Sequence, residues 1–432
     1  MMKKTRVAAA LMCLLLLLSL LAGCKKEDVG GSLSESSVSF PKAGAVALPH
    51  YRVETVEYTL PERVPYRQGL QPYFETMIPA LLKDAGKENA LCSPVNIYMA
   101  LAMLAEITGG ESRAQLEALL GAETPQLRDW ASEVWQNNYR GGKGSQLLLG
   151  SSIWLNEGMT FRQDCLDLLA DRYYASVYQG AMGSEAFSQT YRDWMNEHTG
   201  GLLKDQIDGM ELTSDLALNL TATVYFTGGW SSAFDKNLTV PQAFYAPAGE
   251  TEVQMMKKTV ESYYFWGEHF TSVLLPMDTG RMVFLLPDEG YTPAELLRDG
   301  EALDYLISGA GQVNRKYMKV HLSVPRFDIV SKTELIGSLQ ELGVTDVFTC
   351  GAADFSPITD AEGLCASTVL HGARVKVDEE KVEAAAYTAV SVPSSPPPQE
   401  VEEIDFTLDR PFLFCITGDD GLPLFTGIVN QP

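Results

Sequence analysis

The alternation of apolar and polar residues divides this chain into helices that need a core and strands that need a sheet. Residues 68–82 carry apolar side chains at helical spacing and predict an amphipathic helix. In NALCSPVNIYMALAMLAEITGG (89–110), Asn89, Ser93 and Pro94 mark a short strand and the start of a helix. Proline is tolerated there because its missing N–H would be unpaired in a first turn anyway. Residues 97–107 are apolar almost all round, so this helix is expected inside a large protein. A further helical region begins at 115–120. LLLGSSIWL (147–155) predicts a strand buried on both faces, and 164–174 and 188–197 predict helices. LALNLTATVYFTGGW (216–230) is a long strand closed by a glycine pair. Antiparallel strands and turns follow in FYAPAGETEVQMMKK, SVLLPM and MVFLLPDEG. After them come a strand in KVHLSVPRFDIV, a helix in ELIGSLQELGVTDVF and a strand in STVLHGARVKVDEE. Helices and strands interleave without a regular βαβ order, and no repeat is visible; the fold class is α+β with large sheets.

The stretch EEKVEAAAYTAVSVPSSPPP (379–398) has the most unusual pattern. As an extended strand it would point Val382, Ala384, Ala386, Thr388, Val390 and Val392 to one face. Lys381, Glu383, Ala385, Tyr387, Ala389 and Ser391 would point to the other. The first face is small or β-branched and could slot between strands; both charges and the bulky ring lie on the second. Pro393 and Pro396 to Pro398 then interrupt any ladder. Taken alone, the stretch also reads as an alanine-rich helix stub followed by a linker.

Composition narrows the function. The 432 residues are 46% apolar, enough for a sizeable core, which excludes wholesale disorder. Formal net charge is −23, and removal of the first 23 residues with Lys3, Lys4 and Arg6 leaves −26. Nucleic-acid binding, which needs basic patches, is disfavoured. MMKKTR is a basic leader, 7–20 an apolar run, and Leu21-Ala22-Gly23-Cys24 looks like a bacterial lipobox. The expected organisation is a signal peptide at 1–23, a lipidated Cys24 with a flexible tether at 24–65, and one folded domain at 66–432. The apolar run is short for an uncleaved membrane span, the alternative. Cys13 and Cys24 aside, five cysteines remain, without a CxxC pair; neither a disulfide framework nor a zinc site is expected. Cys350 and Cys365 could pair, but buried free thiols are the expected state, and Cys92 and Cys415 read as core. No G-x-S-x-G elbow, HExxH motif or phosphate-cradling loop is present, and the five histidines lack metal spacing, so no enzyme and no cofactor is expected.

The flanking text decides what 379–398 is. EEKVEAAAYT, DRPFLFCI (409–416) and GLPLFTGIVNQP at the C-terminus resemble the serpin family, as do NxxxSP at 89–94, WMNEHTGGLL and NLTATVYFTGGW. The resemblance covers about 66–432. It implies the serpin fold, with a large main sheet, further sheets, helices and an exposed reactive centre loop at about 379–405. It also implies a suicide inhibitor of serine proteases: the loop is cut and its hinge side inserts into the main sheet. The hinge would comprise Glu379, Val382, Glu383, Ala384, Ala385, Ala386 and Thr388. Lys381 stands where the family usually has Gly, and Tyr387 interrupts the small-residue run, but both are outward. Trp230 is placed by the resemblance at the top of the main sheet, and Glu379 is expected to pair with Arg326 where the sheet opens; an exposed pair worth little is the alternative. Ser93, Asn96 and His371 are expected in a polar cluster under the sheet, with Asn96 supplying an amide that Ala222 has replaced on the neighbouring strand.

Counting from Glu379 in the family's way puts the cut after Ser395, but Pro396 would then follow it. The reactive bond is therefore assigned to Ser394–Ser395. No Lys or Arg lies between Lys381 and Arg410, so elastase-like or subtilisin-like targets are expected rather than trypsin-like ones. The expected partners are a target protease held covalently and the membrane through the lipid anchor, with a monomeric protein on the extracytoplasmic face of the cell envelope. The other reading is a non-inhibitory serpin acting as a surface binding or structural protein.

Overall fold

The computed structural model describes residues 45–47, 65–141, 145–298, 300–308, 313–379 and 402–432. In chain order the first half contains β1 (Ala45–Ala47), α1 (Pro65–Leu82), β2 (Ala90–Cys92), α2 (Pro94–Ile107), α3 (Gly110–Leu120), α4 (Thr124–Asn138) and β3 (Gln146–Asn156). It continues through α5 (Gln163–Tyr173), β4 (Ala175–Gly180), α6 (Glu185–His198), the short α7 (Lys204–Ile207) and β5 (Leu218–Thr227). The second half is mostly strand: β6 (Val240–Ala246), β7 (Gly249–Trp266), β8 (Phe270–Pro276) and β9 (Arg281–Pro287), then α8 (Pro293–Leu296) and α9 (Gly300–Ser308). Next come β10 (Asn314–Pro325), β11 (Phe327–Glu334), α10 (Ile336–Glu341), β12 (Leu370–Val377), β13 (Glu403–Thr407), β14 (Phe412–Thr417) and β15 (Pro423–Val429).

These strands form three hydrogen-bonded groups. One runs β1-β4-β3-β5, one contains nine strands in the order β13-β10-β7-β8-β9-β14-β15-β2 with β6 beside β7, and β11 pairs with β12 alone. β3 and β4 are parallel, and α5 provides the crossover that parallel neighbours require. The α+β class follows directly from this arrangement.

The apolar pattern at 97–107 is explained by α2, in which thirteen of fourteen residues are buried. It packs against α3, α4, α5, β5 and β15, so no face meets water. Under α6 the core is aromatic: Trp154 stacks on Tyr178 at 4.2 Å and meets Phe187 and Trp194 edge-on. Cys92, Cys165 and Cys415 are buried free thiols. Some elements were not read from sequence. α4 is amphipathic, with Leu127, Ala131, Val134 and Trp135 buried, but its polar majority hides the period. β1 lies within the stretch read as tether and pairs antiparallel with β4, Ala45 facing Gly180.

One expectation is corrected. Cys350 and Cys365 are joined in a disulfide, with Cα atoms 4.7 Å apart, rather than left as free thiols. Residues fifteen apart in sequence meet because the segment between them is folded back by contacts to distant elements. Gly109 N–H donates to Asp354 O, Arg162 Nε to Ser356 O and Thr359 Oγ1 to Thr160 O. A loop of that size, once closed, is stabilised by about 3 kcal/mol in the chain-entropy account.

Candidate functional site

The site is the seam between β5 and β12. Among the described residues β5 has ladder partners only in β3, and β12 only in β11. Each therefore presents a second backbone edge without a strand beside it, a feature proteins rarely leave in the middle of an assembly. The two edges are tied together at one end. Trp230 Nε1, just past β5, donates to Asp378 O, just past β12, at 2.9 Å. Trp230 is 5% exposed, packs edge-on to Phe234 at 5.5 Å and is bridged to Met277.

Glu379 is the next residue of the chain. Arg326, in the corner between β10 and β11, donates Nε to both carboxylate oxygens at 2.9 and 2.7 Å and Nη2 to Oε1 at 2.6 Å. Thr239 Oγ1 donates to the same carboxylate. The Glu379 side chain is 1% exposed and that of Arg326 42%, so this is a carboxylate buried under a guanidinium, not an exposed pair. Burial by itself would raise the Glu379 carboxyl, but the donors from Arg326 and Thr239 outweigh it and hold it below its ordinary value. The planar arginine fork makes the bidentate contact that a lysine could not.

At the other end of β12, His371 reaches α2. Its Nε2 accepts the Ser93 backbone N–H at 2.9 Å, so the ring is neutral with its proton on Nδ1. On α2, Ser93 Oγ and Asn96 Oδ1 are buried without hydrogen-bond partners. The ring's partner is thus the Ser93 main chain rather than the expected Asn96 amide, and Ala222 faces Ser151 across β3–β5. Burial pushes the His371 imidazole down to about 4.

A pH response follows. As pH falls, the unfolded chain takes up a proton on this histidine near its ordinary 6.5 while the folded protein does not. Stability is therefore whole above about pH 6.5 and declines down to about pH 4, by on the order of 3 kcal/mol. Protonation of Glu379 removes more only below its ordinary 4.5. Melting curves of His371→Asn should fall less steeply between pH 6.5 and 4.5 than those of the parent, the buried His198 ring, also held below its ordinary value, leaving a residual slope; parallel slopes would refute the assignment.

The connection from α6 to α7 lies over the seam. Gly200, at φ +56°, sits where a Cβ would fall 2.4 Å from the Tyr225 ring of β5, so only glycine fits. Arg374 of β12 donates Nη1 to Leu202 O at 3.1 Å while pairing with Asp328 at 2.7 Å. Thr199, Leu202 and Leu203 line a narrow cleft with Val224, Tyr225, Phe226, Arg374 and Phe425. This strap holds α6 and α7 to both edges, and any strand added between them would have to lift it.

The structure brings together Ser93 and His371 in one cluster, with Asn96 buried one turn further along α2, and Trp230, Arg326 and Glu379 in another. Val382, Glu383, Ala384, Ala385, Ala386, Thr388, Ser394, Ser395 and Cys24 lie outside the described residues. Sequence reasoning missed Thr239 and the Arg374–Leu202 contact, since nothing local marks either.

A family model described as Serpin (serine protease inhibitor) matches residues 76–432. Similar curated proteins include an uncharacterised serpin-like protein of Thermococcus kodakarensis, 29% identical over 80% of this chain and 81% of that protein. Plasminogen activator inhibitor 1 of Neovison vison is 27% identical over 80% and 87%. Among solved structures, the native state of the thermophilic serpin tengpin covers 90% of this chain and 100% of that one, at TM-score 0.72 and 25% identity. The native stressed conformation of Arabidopsis AtSerpin1 has the same TM-score and shares the fold, covering 85% and 98% at 23% identity. With its main sheet, seam and hinge start in place and the family model spanning most of its length, this chain belongs to the serpin family.

Proposed function

We propose that the protein is a suicide inhibitor of serine proteases, anchored by lipid on the outer side of a bacterial membrane. The observation that carries the reading is the pair of open edges on β5 and β12, with the hinge leaving β12 directly beside them. The protease serine attacks the Ser394 carbonyl carbon. The C–N bond to Ser395 breaks, the new amine leaves with the proton, and the protease is left as an acyl ester. The freed segment then enters the seam as a strand, with Val382, Ala384, Ala386, Thr388, Val390 and Val392 inward, and carries the esterified protease with it. Small residues around the cut suit elastase-like or subtilisin-like enzymes.

Incubation with such proteases should give a complex near one to one that survives boiling in SDS. Cut chain with no complex would overturn the inhibitor reading and favour a non-inhibitory surface protein. The Cys350–Cys365 disulfide supports an oxidising, extracytoplasmic setting. Cys24→Ser should move the protein from the membrane fraction to the soluble one; unchanged partition would remove the anchor.

A further inference from the structure

The disulfide between Cys350 and Cys365 occupies a position that the insertion mechanism leaves unexplained. Cys350 closes the limb that follows the 3₁₀ turn Asp346–Phe348, and Cys365 lies five residues before β12. The first limb is fastened to α3 and its approach. Gln115 Oε1 accepts the Thr345 and Asp346 N–H groups at 2.8 and 3.0 Å, and Ser112 Oγ accepts the Asp354 N–H at 3.2 Å. Gly109 N–H donates to Asp354 O at 2.9 Å. The middle of the loop is fastened to the turn from β3 to α5. Arg162 donates its N–H to Ile358 O at 2.8 Å and Nε to Ser356 O at 3.0 Å, and pairs with Asp360. Thr359 Oγ1 donates to Thr160 O at 2.8 Å. β3 is the ladder partner of β5, whereas the last limb runs into β12, held to β11 by Leu335 N–H on Val369 O at 2.8 Å. The loop therefore crosses the seam at the end opposite Trp230: its middle is bonded to the β5 side and its exit belongs to β12.

A strand that enters between β5 and β12 takes about 4.8 Å of sheet width. Ala366 N–H donates to Val347 O at 2.8 Å, but the disulfide is the covalent tie between the two limbs. While it is closed, the lead-in to β12 can move only if the bonds to Gln115, Ser112, Gly109 or Arg162 give way with it. Once it is open, Cys350 and Cys365 can part, and the lead-in follows β12 while the rest of the loop stays bonded. The tie is also within reach of a reductant. Cys350 is exposed and Cys365 half-buried, whereas the thiols of Cys92, Cys165 and Cys415 are buried. Exposed disulfides are the labile ones in thiol exchange.

We propose that the Cys350–Cys365 disulfide is a redox-controlled brake on the seam, released by an external dithiol. The proposal rests on the reading above in that a strand must be able to enter between β5 and β12. A thiolate of the dithiol attacks the exposed Cys350 sulfur, the S–S bond breaks, and Cys365 leaves as the thiolate. The second thiol of the reductant then displaces Cys350. The dithiol is oxidised to its own disulfide, and the two cysteine sulfurs take up two electrons and two protons.

The test keeps uncut parent at 37 °C, oxidised or in dithiothreitol, beside the double variant Cys350→Ser with Cys365→Ser. The readout is the rate at which chain still full-length on an SDS gel acquires a higher melting temperature. Conversion should be about ten-fold faster in the reduced parent and in the double variant, and dithiothreitol should leave the double variant unchanged. Reoxidation of reduced parent before it converts should restore the slow rate. Equal rates with and without the disulfide, or no conversion in either, would overturn the brake. Reduced protein that unfolds or aggregates without reaching the higher-melting form would overturn it too, because a simple staple predicts that result. SDS-stable complex formation with pancreatic elastase and subtilisin is measured in parallel. A complex with no redox effect on conversion would remove the brake and leave the inhibitor reading; a redox effect with no complex would do the reverse.

Discussion

Cutting the chain between Val392 and Pro396 should raise its melting temperature by at least about 10 °C. In ordinary proteins a nick in an exposed segment is neutral or destabilising, so the sign alone is diagnostic. The expectation comes from the two backbone edges of β5 and β12, which an added strand would satisfy along both sides. Each new ladder bond contributes about 0.5–1.5 kcal/mol. Each of the inward valines, Val382, Val390 and Val392, contributes about 1.5–3 kcal/mol on burial. Over a strand of about a dozen residues the gain is on the order of 10 kcal/mol. For a domain of this size one kcal/mol corresponds to roughly 1–2 °C. Calorimetry of intact and nicked protein checks it; an unchanged or lower melting temperature would mean that no energy is stored in the uncut loop.

Ala384→Arg should abolish the SDS-stable complex and convert the protein into a substrate. Position 384 is on the face that would enter the seam, where a guanidinium would lose its water without gaining a carboxylate, at a cost of several kcal/mol. Insertion would then lose its race with hydrolysis of the acyl ester, and the protease would leave intact. Glu383→Arg, one residue away on the outward face, keeps its charge in solvent and should still form the complex. The comparison is internal: loss of complex in both variants would mean that the alternation does not describe the inserted strand. Retention in both would mean that trapping of the protease does not require position 384 to be buried in the seam.

The strap from α6 to α7 adds a kinetic element to the same picture. Arg374 holds Leu202 O from the β12 side, and Tyr225 fills the space under Gly200 on the β5 side. The seam is therefore closed over by side chains while its backbone edges have no ladder partner among the described residues, which is how a more stable arrangement can be kept out of reach until the loop is cut. Glu379 contributes at the rim, since its buried carboxylate is stable only with Arg326 and Thr239 around it.

Much of this was legible in the chain. The period-two alternation of 382–392, the all-apolar helix at 97–107 and the long strand ending at a glycine pair are local properties, written in neighbouring residues. They determined the fold class, while the one-sided pattern of 382–392, with no inward charge, falls outside the described residues and stands as an expectation. Motif likeness added Trp230, Arg326, Ser93 and His371. Polar pairing partners were another matter. Thr239 and Glu379 are 140 residues apart, Trp230 and Asp378 148, and Ser93 and His371 278. No spacing rule reaches that far, because side-chain and main-chain donors are chosen by which surfaces the fold presses together. The same holds for Cys350 and Cys365, joined because contacts to Gly109, Thr160 and Arg162 fold their loop. It holds too for Tyr263 and Tyr317, ordinary strand residues until the register sets them side by side in the open. Local patterning determined what each segment could become; only the tertiary structure decided which distant groups would meet.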